Sequence, residues 1–440
     1  MEFFADFVIK PTEQQIALHR YLTILTLLIH LPYAGMLLGS SLFSIIFGIL
    51  NWDKPNPLFS RFSKDLMDVV AASKTAGLVF GVLPLLVLVL LNVQRFSGSN
   101  VTTLGYLILA VVIIVVGIFA LYAYRSVFHS ISPGDPEFFR RTGIGTSGLV
   151  ILLVGYYLLF SSVVLLNHPE KWAFIKTPAD LILSWNVVWR FLLFIVSSVA
   201  ISGAGTVFFF FNWPGRNIRG ENEYGRLVKH FGASAALGSA LLIPVFGFFF
   251  HVTSPIVAMS VNVYVVWMIA LLVFMVGCIL LLALLRSAQT KYGPPIFILF
   301  LFAFLMMISS DQAALENATR EHTAALLDEA ETIKREREEA RQAAMAELEA
   351  ATPGRGKEVF SARCVACHRF DEKLVGPPLL SVLPKYKGKM EELVSYVRNP
   401  SKKNPDYPPM PNLGLSAGEA RAVASYLLED VTEEKIPEEP

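Results

Sequence analysis

The sequence predicts an all-α protein with three consecutive parts: a polytopic helical membrane domain, an extended polar helix and a small C-terminal domain. Long apolar runs separated by short polar loops extend to residue 311. A stretch rich in Ala, Glu, Arg and Lys follows, and the charged C-terminal part contains a C-x-x-C-H motif from Cys364 to His368. We therefore place the domains at 1–311, 312–353 and 354–440.

The composition indicates a membrane protein. The chain is 54% hydrophobic and its mean hydropathy is +0.53, although its last third is highly charged. The apolar residues are therefore concentrated before residue 311, as in polytopic membrane proteins. The net charge of +1 gives no reason to expect a nucleic-acid partner.

The apolar runs predict eight membrane-spanning helices, because one span needs about 20 apolar residues. The predicted spans are 17–50, 69–93, 102–124, 143–166, 182–212, 227–252, 256–286 and 294–311. An even number of spans places both termini on the same side of the membrane.

The charges of the loops predict which side that is. Four alternate loops carry twelve basic residues: Lys54, Arg61, Lys64, Arg125, Arg140, Arg141, Arg216, Arg219, Arg226, Lys229, Arg286 and Lys291. The other three loops carry three: Arg95, Lys171 and Lys176. Because cytoplasmic loops are enriched in Lys and Arg, both termini are predicted to lie outside.

Residues 312–353 are predicted to form a solvated helix, supported by Glu and Arg side chains four residues apart, such as Glu331 and Arg335. Some 40 residues would span about 60 Å as a straight helix. The segment is either a spacer or an arm that docks on a partner subunit.

The C-x-x-C-H motif is typical of covalent c-type haem attachment, in which both thiols bind the haem and the histidine becomes the proximal iron ligand. The alternatives are a zinc site and a redox dithiol. Zinc needs about four ligands, and no second Cys/His pair lies near Cys364, Cys367 and His368. A redox dithiol is expected beside a βαβ pattern, which the sequence lacks.

The residues around this motif resemble class I cytochrome c domains from about 354 to 430. The resemblance rests on Gly356–Phe360, Gly376–Leu379, Tyr407–Pro411 and Ala417–Leu428. It implies one covalent haem c held by Cys364 and Cys367, with His368 and Met410 as iron ligands and Pro377 in a loop that packs on the proximal histidine. Met390 is the alternative sixth ligand.

Haem c is attached outside the cytoplasm, so the resemblance also predicts a location. The C-terminal domain and both termini are expected on the periplasmic face of a bacterial inner membrane. This agrees with the orientation predicted from the basic loops.

Ionisable residues inside the spans are candidates for function. His19 and His251, each near the outer surface, could together hold one b-type haem, and His30 is a further candidate ligand. The alternatives are interfacial histidines and, for His30, a hydrogen bond to a neighbouring helix. Arg190 could neutralise a haem propionate or pair with a carboxylate of a partner. We find no Asp or Glu well inside any predicted span.

The membrane part resembles, more loosely, the large subunit of cytochrome bd-type quinol oxidases. The similar segments are 14–20, 28–39, 57–64, 183–211 and 226–240. The resemblance implies that His19 ligates a haem. The chain departs from the family at Trp189-Arg190, where the second haem histidine is expected. It also lacks that family's intramembrane carboxylates and long quinol-binding loop.

These observations favour an electron-transfer subunit of a larger respiratory complex, with other membrane and periplasmic subunits as partners. A soluble cytochrome or the quinone pool could exchange electrons with it. The alternatives are a bd-like terminal oxidase subunit with a fused cytochrome c and a non-redox anchor that carries the haem c domain. The sequence thus favours an electron carrier over a catalyst.

Overall fold

A computed structural model describes residues 12–53, 55–95, 102–128, 137–174, 177, 180, 182, 184–213, 222–287, 290–349 and 352–433. The chain divides into two compact units, Met1–Asp328 and Glu329–Pro440. Every regular secondary-structure element within the described ranges is a helix, which confirms the all-α class.

The first unit contains α1 Glu13–Asp53, α2 Pro57–Val70, α3 Lys74–Ala76, a π-helical turn Gly77–Val82, α4 Leu83–Arg95, α5 Thr102–Val127, α6 Glu137–Leu166, α7 Trp185–Phe211, α8 Glu223–Thr253, α9 Val261–Arg286 and α10 Gly293–Ala318. Short 3₁₀ turns occupy Pro169–Phe174 and Ile256–Ala258. Within the described residues, eight helices are long and apolar enough to cross a membrane, as predicted. The second of these combines α3, the π-helical turn and α4.

Helices α1 and α7 form the centre of the membrane unit. In each, 72% of the most apolar window is buried inside the protein, compared with 28% in α9 at the periphery. The hydroxyl of Ser202 on α7 donates a hydrogen bond to the carbonyl of Gly35 on α1 at 3.0 Å. Small residues at this crossing allow the two backbones to approach closely, which is typical of membrane helix pairs.

The second predicted span was wrong at its start. Residues 57–70 form a separate helix, α2, where the sequence suggested a loop followed by the beginning of the span. Pro57 occupies the first turn of α2, and the Asn56 side chain caps it by accepting from the Leu58 N–H at 2.9 Å. Phe62 and Leu66 bury the apolar face of α2.

The eighth predicted span was too short, because α10 continues past residue 311 to Ala318. Its C-terminal end carries two carboxylates that pair with arginines of other helices. Asp311 accepts from Arg190 of α7 at 2.7 Å, and Glu316 lies 3.1 Å from Arg20 of α1. Arg190 therefore has a carboxylate partner within its own chain.

The polar segment is helical, as predicted, and forms α11, Arg320–Glu349. It begins immediately after Thr319, which ends α10. Four of the basic residues counted above, Lys54, Lys176, Arg216 and Arg219, lie outside the described residues.

The second unit contains α12 Pro353–Arg363, α13 Leu379–Val382, a 3₁₀ turn Leu383–Tyr386, α14 Met390–Arg398 and α15 Ala417–Glu433. Helices α12 and α15 cross at Gly356, where a β-carbon would collide with the carbonyl of Ala422. Phe360 fills the core beside the crossing, with its ring 5.7 Å from that of Tyr426. This helix pair supports the segment that follows α12, which is the C-x-x-C-H motif.

Candidate functional site

The C-x-x-C-H motif lies directly at the end of α12 and is wound into tight turns. The N–H of Cys364 donates to the carbonyl of Phe360 at 2.8 Å and so caps the helix. The N–H groups of Cys367 and His368 both donate to the carbonyl of Cys364, at 3.1 and 3.0 Å. These bonds fix the positions of two free thiols and one imidazole relative to α12.

The loop from Gly376 to Pro378 packs against His368. The Gly376 N–H donates to the carbonyl of Cys367 at 2.8 Å, and the Leu379 N–H donates to that of Arg369 at 2.9 Å. A β-carbon on Gly376 would lie 2.7 Å from Nδ1 of His368, so only glycine allows this approach without displacement. The loop therefore supports the imidazole ring from behind.

The surroundings of His368 favour its neutral form. Burial lowers the pKa of His368, while the nearby backbone of Pro377 acts in the opposite direction. Neutral imidazole is the form that binds a metal. Burial, together with the nearby Cys367, raises the pKa of the Cys364 thiol.

A cavity of about 260 Å³ connects the motif with a loop that follows α14. Cys364, Cys367, His368 and Pro377 line it together with Met410 from that loop. Met390, the alternative ligand, begins α14 and is not among the lining residues. Thiols, an imidazole and a thioether around an apolar cavity form a donor set that fits a covalently attached haem with His/Met ligation.

The loop that carries Met410 is tied to the rest of the domain by three basic side chains that the sequence reasoning missed. Arg363 Nη1 donates to the Leu413 carbonyl at 3.2 Å. The Lys373 ammonium lies 4.6 Å from the centroid of the Tyr407 ring. Lys403 contacts two tyrosines across the cavity. These contacts join residues distant in sequence, and no local motif indicates them.

In the membrane unit, His30 has both ring nitrogens in hydrogen bonds. Nδ1 donates to the Phe80 carbonyl in the π-helical turn at 3.1 Å, and Nε2 accepts from the Tyr156 hydroxyl at 2.8 Å. His30 is completely buried. It therefore links α1 to the π-helical turn and α6, and neither nitrogen is available to iron in this arrangement.

His251 and His19 have different surroundings. His251 is buried near the end of α8, donates from Nδ1 to the Gly247 carbonyl at 2.8 Å, and has its ring 4.9 Å from that of Trp267. His19 is partly exposed in the first turns of α1, and its carbonyl accepts from the Thr23 hydroxyl at 2.7 Å. The described residues contain no cluster of three or more His, Cys, Asp or Glu that could hold a metal ion.

Comparison with known proteins identifies the C-terminal domain. The cytochrome c family model matches residues 354–429. Cytochrome c-551 from Pseudomonas denitrificans is 40% identical over 78 residues, which is 17% of this chain and 94% of that protein. Cytochrome c-551 from Azotobacter vinelandii is 32% identical over 77 residues, with the same two shares. No solved structure matches. Through its C-terminal domain, this chain belongs to the cytochrome c family.

Proposed function

We propose that this chain is a membrane-anchored c-type cytochrome that passes single electrons at the outer face of a bacterial inner membrane, as a subunit of a larger respiratory complex. One observation carries the proposal: a single cavity is lined by both thiols and the histidine of the motif and, from a separate loop, by Met410. In an electron carrier all six coordination positions of the haem iron are filled. His368 and Met410 on one cavity would fill the two axial positions.

The residues have separate roles in this proposal. Cys364 and Cys367 would form the two thioether links, while His368 and Met410 would be the axial ligands. Pro377 and Gly376 would hold the His368 ring in place from behind. The haem supplies reversible one-electron transfer, and the protein tunes its potential through the axial ligands and the apolar cavity wall.

The eight apolar helices support the membrane anchor. Covalent haem attachment outside the cytoplasm and the twelve-to-three distribution of basic loop residues both favour an outer location for the haem domain. In this orientation the polar helix α11 begins where α10 ends, at the outer surface. It serves either as a spacer before the cytochrome c domain or as a docking surface for a partner subunit.

The decisive experiment is a haem count on the purified full-length chain. We expect one haem c per chain by pyridine haemochrome, and haem staining that persists on a denaturing gel. A purified chain with no covalent haem would contradict the proposal. Mild detergent extraction followed by native electrophoresis should place the chain in a band much larger than its own 48.8 kDa.

A b-type haem between His19 and His251 is a further part of the proposal, and rests on the looser bd-type resemblance. The Nδ1 bond of His251 to the Gly247 carbonyl supports it, because such a bond leaves Nε2 as the metal-binding nitrogen. His30, with both nitrogens bonded, fits a ligand role less well. Replacement of both His19 and His251 should remove the reduced b-type signal while haem c stays.

The same haem count separates the alternative roles. Haem c alone would favour an anchor that carries a periplasmic electron carrier. Haem c with one haem b would favour electron relay across the membrane. Several further haems would instead favour a bd-like terminal oxidase.

A further inference from the structure

The loop between α14 and α15, residues 399–416, carries both Met410 and Lys403, and we call it the Met410 loop. Lys403 contacts side chains outside this loop. Its ammonium donates a hydrogen bond to the Tyr386 hydroxyl at 2.9 Å. It also lies 4.6 Å from the centroid of the Tyr396 ring and 5.1 Å from that of Tyr386. One cation thus contacts two aromatic side chains at once.

The two tyrosines belong to helical elements that precede the Met410 loop in the sequence. Tyr386 ends the 3₁₀ turn, Tyr396 lies in α14, and their rings stack with centroids 6.4 Å apart. Both tyrosines and Lys403 line the cavity. Lys403 therefore connects the Met410 loop to two elements that come earlier in the sequence.

The loop depends on such connections because the hydrogen bonds described next join only residues within it. Two of its N–H groups, those of Asp406 and Gly414, donate to side chains only two residues away, Asn404 and Asn412. These local bonds shape turns but do not fix the loop to the domain. The side-chain contacts of Lys403, Lys373 and Arg363 provide that fixation.

The protonated state of Lys403 suits this role. The hydrogen bond to Tyr386 raises the pKa of Lys403, so the ammonium persists at neutral pH. A cation is attracted to the faces of aromatic rings even at an exposed site, and such an attraction lowers the open fraction of a short loop severalfold.

We propose that Lys403 is a positioning residue that holds the Met410 loop closed over the haem iron by anchoring it to Tyr386 and Tyr396. This inference rests on the proposed function, in which Met410 is the sixth ligand. Opening of the loop separates the methionine sulfur from the iron, and Lys403 opposes that opening without contacting the haem iron.

The test uses imidazole binding to the ferric full-length cytochrome, because imidazole binds only where the methionine has dissociated. Lys403→Met keeps the length of the side chain and removes its charge. We expect about three- to tenfold tighter imidazole binding and a weaker charge-transfer band of methionine-ligated ferric haem. Lys403→Arg, which can still donate to Tyr386 and stack on both rings, should restore wild-type behaviour.

The matched control is Lys402→Met, which removes an adjacent cavity-lining charge. Equal effects of the two methionine variants, or wild-type binding in Lys403→Met, would overturn the proposal. Tyr386→Phe offers a second route if Lys403→Met fails to mature: it should tighten imidazole binding by less, and an unchanged affinity there would also overturn it. A wild-type protein that lacks the methionine band would instead refute the ligand assignment itself.

Discussion

Gly376→Ala is the sharpest test of how the protein holds His368, the proposed proximal ligand. A β-carbon at this position would lie 2.7 Å from Nδ1 and 3.0 Å from Nε2 of His368. Cε1 of the same ring would lie closer still. Unstrained carbon contacts begin at about 3.5 Å, so the ring or the loop must move by about 1 Å. The loop is fixed by its hydrogen bonds to Cys367 and Arg369, and we therefore expect the ring to move.

Overpacking of this kind costs about 1–3 kcal/mol. In a small domain each kcal/mol lowers the melting temperature by about 4–8 °C. The haem should stay attached, because both thiols precede His368 in the chain and keep the backbone hydrogen bonds that follow α12. Thermal loss of the methionine-ligated ferric spectrum reports on this domain alone, even in the full-length chain.

Gly354→Ala is the matched control, since a β-carbon at Gly354 meets nothing within 4 Å. It lies in the first turn of α12, where alanine should be neutral or stabilise the helix by less than about 1 kcal/mol. Equal melting temperatures for the two alanine variants would refute the argument that close contact with His368 requires glycine at 376.

Three further predictions follow from the structure. Met410→Ala should leave the haem attached, lower its reduction potential and open the iron to added ligands; an unchanged spectrum would assign the sixth ligand elsewhere. Asp311→Asn should destabilise the membrane unit by about 2–4 kcal/mol in thermal melting of the detergent-solubilised chain, because it leaves the Arg190 guanidinium, which is only 11% exposed, without its carboxylate. Its control is Glu316→Gln, whose pair is 38% exposed on both sides and which should cost at most about 1 kcal/mol in the same assay. His30→Leu should cost about 1–4 kcal/mol in that assay, because the buried Tyr156 hydroxyl and the partly buried Phe80 carbonyl both lose their partner, and an unchanged melting temperature would show that these bonds contribute nothing.

The features that could be predicted from the sequence are those encoded over short distances. Each span is a contiguous apolar run, so hydropathy alone located all eight. Cys364, Cys367 and His368 lie within five residues, so their proximity follows from covalent connection. Met410 is 42 residues beyond His368, and only resemblance to a known family indicated that the two would face one cavity.

The features that could not be predicted depend on packing between distant elements. Residues 57–70 are too polar for a span and gave no clear signal of helix, yet Asn56, Pro57 and a buried apolar face make them α2. The partner of Arg190 lies 121 residues away on α10. Nothing in the sequence near Lys403 indicates that two tyrosines from separate elements converge on it.

The ionisable groups of the membrane unit bear on its role. Asp311 and Glu316 lie near the C-terminal end of α10, and each pairs with an arginine of another helix. The buried Lys229 donates to the Ser287 carbonyl at 2.7 Å, and His30 is hydrogen-bonded at both nitrogens. These contacts crosslink the described membrane helices. In the cytochrome c domain, by contrast, two thiols, an imidazole and a thioether line one cavity.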